Sequence, residues 1–402
     1  MAILNNAFCR VYQKTFKMVM PVFNWDEPEL LKGPGAIKDL PALVKSKGIT
    51  NVLIVTDKGL MSLNLLDSLF EALEKQGIKY TVYDGVQPNP SIENIEEGRR
   101  IYLKNDCQGI IAFGGGSPMD CAKVVGARIA NPNKSVSQMR GLLKVVKKIP
   151  PFFAVPTTAG TGSETTIAAL ITDPETHHKY ALMDLCLIPR YAILDAELTT
   201  GLPPFITATT GMDALTHAIE AYLCWTYNTK ESLRFAEEAT KLIFDNLEKA
   251  YEDGSNKEAR QNMMIASFKA GFAFTRAGVG NVHAIAHTLG GLYNSAHGLA
   301  NAVILPIVLE EYGSAVYEKL ARLAEITGVK ESGSEEEKAK AFIAEIYAMN
   351  KRMGIPEKFD FIKDEDIPQM TKWAYKETNP IYPVPVLFNE EKYAEVIGKI
   401  RG

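Results

Sequence analysis

The pattern of hydrophobic and polar residues changes near the middle of the chain. In the first half, short runs rich in β-branched and aromatic residues alternate with stretches in which apolar residues recur at helical spacing. Strands are predicted at residues 51–56, 80–83, 109–113 and 152–155, and helices at 63–76, capped by Ser62, and at 91–105, starting at Ser91. Strands that alternate with helices in this way predict a parallel α/β sheet.

Beyond the turn-rich segment 195–204, almost every stretch has helical periodicity. Helices are predicted at residues 233–251, 257–277, 299–312, 317–327 and 335–353. We therefore expect an α/β domain over residues 1–201 and an all-helical bundle over residues 202–402. Residues 8–37 are expected to form extended segments that end at the turn Gly33-Pro34-Gly35.

Composition and net charge exclude only a few classes of protein. The chain has 402 residues and a net charge of −4, with no basic stretch that would favour nucleic acid. Its five cysteines are scattered and odd in number, which favours reduced thiols in a cytoplasm. No signal peptide is recognised, and no uncharged run reaches the roughly 20 residues that span a bilayer. We expect a cytoplasmic protein without nucleic-acid or membrane partners.

A glycine triplet follows the third predicted strand directly. Gly114, Gly115 and Gly116 allow a ligand to approach the backbone closely, and Ser117 is predicted to cap the next helix, with Asp120 three residues further on. A strand, a glycine turn and a helix N-terminus together are typical of an anion-binding site. The triplet matches neither the dinucleotide fingerprint nor the Walker loop, and a tight turn without a ligand is an equal alternative.

A second loop follows the fourth predicted strand and is rich in hydroxyls. Thr157, Thr158, Thr161 and Ser163 are suited to phosphate and ribose contacts, and residues 161–164 fit a capping box. Simple helix capping is the alternative. His177 and His178 lie in a charged turn, where we expect solvated side chains.

Four of the six histidines lie in one region of the helical half. Asp213 and His217 are four residues apart on a predicted helix, as are His283 and His287, so each pair shares a helix face. On one straight helix His297 would lie about 21 Å beyond His283. A shared metal therefore requires a break in the helix, for which residues 290–295 supply turn chemistry.

These motifs make the chain similar to a known family. Gly-x-Asp-Ala-x-x-His-Ala-x-Glu from Gly211, His-x-x-x-His-x-Leu-Gly from His283 and His-Gly-x-x-Asn from His297 resemble the iron-containing (group III) alcohol dehydrogenases. The similarity extends from about Gly33 to the C-terminus. It implies that residues 8–37 contain a β-hairpin, that residues 1–201 bind a dinucleotide and that residues 202–402 bind the metal and catalyse.

The resemblance also implies roles for single residues. The metal ligands are expected to be Asp213, His217, His283 and His297, and His287 is expected to face substrate and nicotinamide without binding metal. Phe274 is expected to shape the substrate pocket, although it could simply be a core residue. The cofactor contacts implied are Gly114, Gly115, Gly116, Ser117, Asp120, Thr157, Thr158, Thr161, Ser163 and Lys179.

Asp57 bears on the choice of nucleotide. A carboxylate at a strand end can accept hydrogen bonds from ribose hydroxyls and repels a 2′-phosphate. Because related enzymes that prefer NADP tend to have glycine there, the resemblance implies NAD over NADP. An ordinary helix cap is the alternative.

The predicted reaction is the reversible oxidation of a primary alcohol or diol to its aldehyde by hydride transfer to NAD. The metal would stabilise the developing alkoxide, and His287 would relay the proton. The resemblance implies Fe²⁺, whereas the Irving–Williams order allows Zn²⁺ in a purified sample. Related enzymes lead us to expect a homodimer or higher homo-oligomer. The alternatives are a zinc polyol dehydrogenase of the glycerol dehydrogenase type, a related dehydroquinate-synthase-like lyase, a metal-dependent hydrolase and a non-catalytic nucleotide-binding protein.

Overall fold

The computed structural model describes residues 2–23, 25–172 and 179–402, and it divides into two compact units. One unit comprises residues 24–201, and the other comprises residues 1–23 together with 202–402. His177 and His178 lie outside the described residues, as does the side chain of Lys179.

The first unit is built on a parallel sheet of six strands. Its strands, in chain order, are β1 (Glu29–Lys32), β2 (Asn51–Val55), β3 (Lys79–Tyr83), β4 (Gly109–Gly114), β6 (Phe152–Pro156) and β9 (Tyr191–Leu194). A smaller sheet contains β5 (Gly141–Leu142), β7 (Ala168–Thr172) and β8 (Lys179–Met183). The strand order of the large sheet is β1-β9-β6-β4-β2-β3, and every pairing in it is parallel. The predicted parallel α/β sheet is confirmed.

Helices cover both faces of this sheet because alternate strand residues point to opposite sides. The helices of the unit are α2 (Leu40–Ser46), α3 (Lys58–Ser62), α4 (Asp67–Lys75), α5 (Ile92–Lys104) and α6 (Gly116–Ala130). Leu53 of β2 packs in the same core as residues of α5 and α6, whereas its neighbour Ile54 packs with residues of α2 and α4. The central strands are therefore buried on both faces, which is typical of parallel sheets.

The second unit is almost entirely helical, as predicted. It contains α1 (Ala2–Val19), α7 (Pro204–Leu223), α8 (Lys230–Glu252), α9 (Lys257–Ala277), α10 (Asn281–Tyr293), α11 (His297–Tyr312), α12 (Tyr317–Thr327), α13 (Glu335–Arg352), α14 (Ile367–Thr378) and α15 (Glu390–Ile400). Within the described chain, the stretch His297–Thr327 is long and apolar enough to cross a bilayer, but 67% of its most apolar window is buried in the fold.

The N-terminal prediction was wrong. Residues 8–19 belong to helix α1 and form no part of an extended hairpin, while β1 joins the sheet as a parallel edge strand. Tertiary contacts hold α1 in the helical unit: the Gln13 amide donates to the carbonyls of Pro380 and Tyr382, and the Arg10 guanidinium donates to that of Val384. The apolar residues of this segment recur at helical spacing, which was the signal that could have revealed the helix.

Three predicted helix starts were also wrong. Asp57 caps the short helix α3 by accepting from the amide of Leu60, so Ser62 ends that helix and caps nothing. Helix α6 begins two residues earlier than predicted, at Gly116, with no side-chain cap from Ser117. Residues 161–164 form no capping box, because the turn that starts at Ser163 follows Gly162 in a left-handed conformation. In contrast, the predicted helix start at Ser91 is confirmed, since Ser91 caps α5 and forms a capping box with Asn94.

Candidate metal centre and nucleotide loops

Helix α7 carries the first half of the candidate metal centre. Asp213 and His217 lie one turn apart and are both buried, 4% exposed each. The ring of His217 stacks between two others, with centroids 4.1 Å from Phe274 on α9 and 4.5 Å from His283 on α10. Its orientation is therefore set by packing from two neighbouring helices.

Helices α10 and α11 carry the second half. The predicted break between them lies at Asn294, which is left-handed with φ 51°, and α11 then starts at His297. Gly298 allows α11 to pack closely on α7, because a Cβ there would lie 2.3 Å from the carbonyl oxygen of Thr209. As a result, His297 Nε2 lies 3.6 Å from Asp213 Oδ1.

The four predicted ligands meet at one point. One ligand atom from each of Asp213, His217, His283 and His297 lies within 4.8 Å of the other three. Ligands bound to one ion at about 2 Å lie roughly 3–4 Å apart, so small side-chain movements would suffice to bind one. The donor set of three imidazoles and one carboxylate suits a divalent transition metal and excludes a thiolate site.

Glu220, seven residues after Asp213, contacts the Nδ1 side of the predicted ligand His283. Its carboxylate accepts from the backbone amides of Gly280 and Val282 at 2.8 Å, and it lies 2.6 Å from His283 Nδ1. Burial raises the pKa of the Glu220 carboxyl to about 7, although the hydrogen bonds from the two amides act to lower it. The two backbone amides donate to the carboxylate and therefore favour its ionised form. His283 then carries its proton on Nδ1, so its Nε2 lone pair faces the other ligands.

The environment also keeps His283 neutral. Burial lowers the pKa of its imidazole well below the usual value, and the neighbouring imidazoles of His217 and His297 lower it further. Neutral imidazole is the form that binds metal.

The contacts of Asn301 show that the cluster is suited to a positively charged group. Its buried amide nitrogen lies 2.7 Å from Asp213 Oδ1, 3.1 Å from His283 Nε2 and 3.2 Å from His297 Nε2. One carboxylate oxygen and two imidazole nitrogens thus surround a single electropositive NH₂ group, as they would surround a metal ion. Glu220 and Asn301 lie within the family motifs, but no role was predicted for either residue.

His287, one turn after His283, lies beside the cluster. Its ring stacks on that of His297 with centroids 5.2 Å apart, and 31% of its side chain is exposed. His287 is not among the four residues whose ligand atoms meet.

In the first unit, the two predicted nucleotide loops lie side by side at the carboxyl edge of the sheet. The amide of Thr157 donates to the carbonyl of Gly114, which joins the end of β6 to the end of β4. A Cβ on Gly115 would lie 3.4 Å from Thr158 Oγ1, and one on Gly116 would lie 3.2 Å from Thr161 Oγ1. The structure therefore brings the glycine triplet and the threonines together.

Three of the other predicted cofactor residues have protein partners. The Ser163 hydroxyl donates to Asp120, whose carboxylate also accepts from the amide of Leu170. The Ser117 hydroxyl accepts from the amide of Asn89. Asp120 and Ser163 are buried and connect helix α6 to the second loop, so they are placed to hold that loop in position. Lys179 lies on β8, paired with Thr172.

Asp57 lies at the point where the order of strand addition in the sheet reverses. From β2 the chain passes to β3 on one side and then to β4 on the other, and ligands of parallel sheets bind at such switch points. Asp57 follows β2, and a Cβ on Gly114 at the end of β4 would lie 3.1 Å from the side chain of Leu60. Asp57 and the glycine triplet therefore flank the same switch point.

The doubly wound sheet has glycine and threonine loops, and the helical unit carries an aspartate–histidine cluster. These are the parts that a metal-dependent dehydrogenase requires. Two family models match the chain: iron-containing alcohol dehydrogenase over residues 28–196, and the C-terminal part of the iron-containing alcohol dehydrogenase family over residues 207–400. The chain belongs to the iron-containing alcohol dehydrogenase family.

Individual relatives agree with this assignment. The chain is 39% identical to the 1,3-propanediol dehydrogenase of Klebsiella pneumoniae over 90% of its own length and 95% of that protein. It is 37% identical to the NAD-dependent methanol dehydrogenase of Bacillus methanolicus, over 87% and 92% respectively. A solved 1,3-propanediol oxidoreductase superposes with a TM-score of 0.90 at 37% identity, covering 94% of this chain and 99% of that one.

These comparisons confirm the predicted family, fold class and type of enzyme. The chain is an NAD-linked oxidoreductase of the alcohol dehydrogenase type, and the zinc polyol dehydrogenase alternative is not supported.

Proposed function

We propose that this enzyme interconverts a primary alcohol or diol and its aldehyde at the cluster of Asp213, His217, His283 and His297. The supporting observation is the convergence of their four ligand atoms within 4.8 Å. The family supports Fe²⁺ as the ion these residues hold. Because Zn²⁺ follows Fe²⁺ in the Irving–Williams order and binds more tightly, a purified sample can carry zinc instead.

The protein's own groups set up the reaction. A bound divalent ion would supply Lewis-acid stabilisation of the developing alkoxide. Glu220 holds His283 in the tautomer whose Nε2 faces the cluster. We assign to His287 the exchange of the alcohol proton, because its imidazole lies against His297 and is partly exposed. Phe274, stacked on His217, is proposed to limit the space for the substrate.

The nucleotide is proposed to bind at the carboxyl edge of the sheet. The backbone of residues 114–116 and the hydroxyls of Ser117, Thr157, Thr158 and Thr161 would contact its phosphates and ribose, with Lys179 as a further contact. Asp120 and Ser163, which bond to each other, are proposed to support this loop. We propose NAD over NADP, because a carboxylate at Asp57 disfavours a 2′-phosphate.

The relatives suggest the class of substrate. Two of them are by name a 1,3-propanediol dehydrogenase and an NAD-dependent methanol dehydrogenase. We propose short primary alcohols and diols, or the corresponding aldehydes, as substrates of this chain. A homodimer or higher homo-oligomer and a cytoplasmic location are part of the same proposal.

The test combines metal and activity. The protein is stripped with a chelator, reconstituted anaerobically with Fe²⁺ or Zn²⁺, and assayed by NADH absorbance with ethanol, butanol, 1,3-propanediol and their aldehydes. We expect stripped protein to be inactive, Fe²⁺ to restore turnover, and NAD to be preferred to NADP. Full turnover in stripped protein that contains no metal would contradict the proposal.

A further inference from the structure

His287 has a carboxylate partner that lies outside the family motifs. Glu377, at the end of helix α14, has Oε1 2.6 Å from His287 Nδ1. The same oxygen accepts from the hydroxyl of Tyr382 at 2.8 Å. The Glu377 carboxylate therefore contacts His287 and is itself fixed by a second hydrogen bond. The Glu220 carboxylate contacts His283 in a similar way.

The arrangement is anchored at several points. Tyr382 donates its amide to the carbonyl of Thr378, and its own carbonyl accepts from the Gln13 side chain. Burial and the adjacent carboxylate raise the pKa of the Tyr382 phenol well above its usual value, so its hydroxyl stays protonated and donates. The position of the carboxylate is thus defined by groups from α1, α10 and the segment after α14.

The hydrogen bond selects one form of the imidazole. A carboxylate at 2.6 Å requires a proton on Nδ1, which leaves the lone pair of the neutral ring on Nε2. Without that partner the ring can rotate or take the other tautomer. A histidine that exchanges a proton with substrate needs the correct nitrogen in the correct place, so loss of an orienting carboxylate lowers the rate without removing the histidine.

We propose that Glu377 is a positioning residue for the reaction: with Tyr382, it holds His287 as the Nδ1-protonated tautomer, so that Nε2 is the nitrogen that exchanges the alcohol proton. In oxidation, Nε2 takes that proton while the hydride passes to NAD⁺, which becomes NADH. In reduction, both steps run in reverse. This inference rests on the role proposed above for His287.

Kinetics of three variants test the effect on turnover. In Fe²⁺-reconstituted enzyme with 1,3-propanediol, Glu377→Ala should lower kcat roughly 10–100-fold, with little change in the KM for alcohol. Glu377→Gln keeps an acceptor oxygen and should retain most of kcat, and Tyr382→Phe should lose only part of it. Lys376→Ala, at an exposed neighbouring position on α14, is the matched control and should match the parent. Metal content should be unchanged in all of them.

The tautomer itself gives a readout independent of activity. In zinc-loaded protein labelled with ¹⁵N-histidine, the parent and Glu377→Gln should show His287 protonated at Nδ1, and Glu377→Ala should lose that signature. In the background of His287→Ala, the further change Glu377→Ala should leave kcat unaltered, because Glu377 acts through the imidazole.

The outcomes separate the inference from the proposed function. If His287→Ala is slow but Glu377→Ala keeps both the tautomer and kcat, the inference is overturned while the role of His287 stands. If His287→Ala keeps full kcat, the role of His287 fails, whatever the tautomer shows. A loss of kcat in Glu377→Ala that persists in the His287→Ala background would also overturn the inference.

Discussion

The two candidate binding regions of this enzyme are built on opposite principles. At the carboxyl edge of the sheet, the glycine triplet and the threonine loop offer backbone amides and small hydroxyls, and contacts such as Thr157 to Gly114 hold them together. In the helical unit, the site consists of large ionisable side chains, and Glu220 holds His283 in place. The first region depends on the absence of side chains, and the second depends on particular ligand atoms.

This difference determines how each region should respond to mutation. A metal ligand contributes one specific lone pair, so its loss cannot be replaced by neighbouring groups. A glycine loop contributes many weak amide contacts, so a single added methyl group should remove only part of the binding energy.

The largest effect is expected from His283→Ala. Lewis-acid stabilisation is worth several kcal/mol, so loss of the metal should reduce turnover by roughly 10³-fold or more. Elemental analysis should show no bound metal, and circular dichroism should show a retained fold. His287→Ala, one turn further along α10, is the control and should keep its metal. Turnover by a metal-free His283→Ala protein would contradict the assigned chemistry.

Glu220→Gln should weaken the cluster without removing a ligand. In the parent, the N–H groups of Gly280, Val282 and His283 are divided between the two carboxylate oxygens. A glutamine has only one acceptor oxygen, so at least one of the three N–H groups would face an NH₂ group and the hold on His283 would weaken. Metal affinity should fall by about 10–100-fold, measured by competition with a chelator. Glu237→Gln, in the same unit, is the matched control because Glu237 accepts instead from Tyr222. Equal metal affinity in both variants would rule out this role for Glu220.

Asp57→Asn tests the charge at the nucleotide end. The variant keeps an acceptor for the amide of Leu60, so the cap on α3 should survive. Loss of the repulsion should raise the ratio of kcat/KM for NADP to that for NAD by about tenfold, or roughly 1.4 kcal/mol. Asp84→Asn, after the neighbouring strand β3, should leave the ratio unchanged. An unaltered ratio in Asp57→Asn would mean that Asp57 serves only as the helix cap.

The smallest effect on activity is expected from Gly115→Ala. The φ of Gly115 is −78°, and a Cβ would make an ordinary contact with Thr158, so stability should barely change while the KM for NAD rises a few-fold. Gly114→Ala should behave differently, because φ is +149° and the Cβ would lie 2.6 Å from Pro118. That variant should lose about 1–3 kcal/mol of stability in denaturant unfolding. Similar stability losses in both would contradict the steric argument.

Local sequence patterns predicted most of the elements. The predicted bounds of α9 and α12 agree with the structure because local stop signals mark their ends: Gly278 follows α9, and Gly328, in a left-handed conformation, follows α12. Capping was harder. The prediction at Ser117 failed because Gly115 precedes the first turn of α6, and the local residues alone did not distinguish these two starts. Helix α1 was missed although its apolar residues recur at helical spacing. Only its docking, through Gln13 to distant carbonyls, is a tertiary contact that the local sequence does not show.

For the site, the chain itself determined which side chains share a helix face, because the spacing of Asp213 and His217, and of His283 and His287, follows from helix geometry. Only the tertiary structure decided that α7, α10 and α11 meet. The distance between helices depends on packing, such as the close approach of Gly298 to Thr209, and no local pattern encodes it. The partners Glu220 and Glu377 emerged for the same reason: a hydrogen bond between residues 63 or 90 positions apart exists only once the fold has formed.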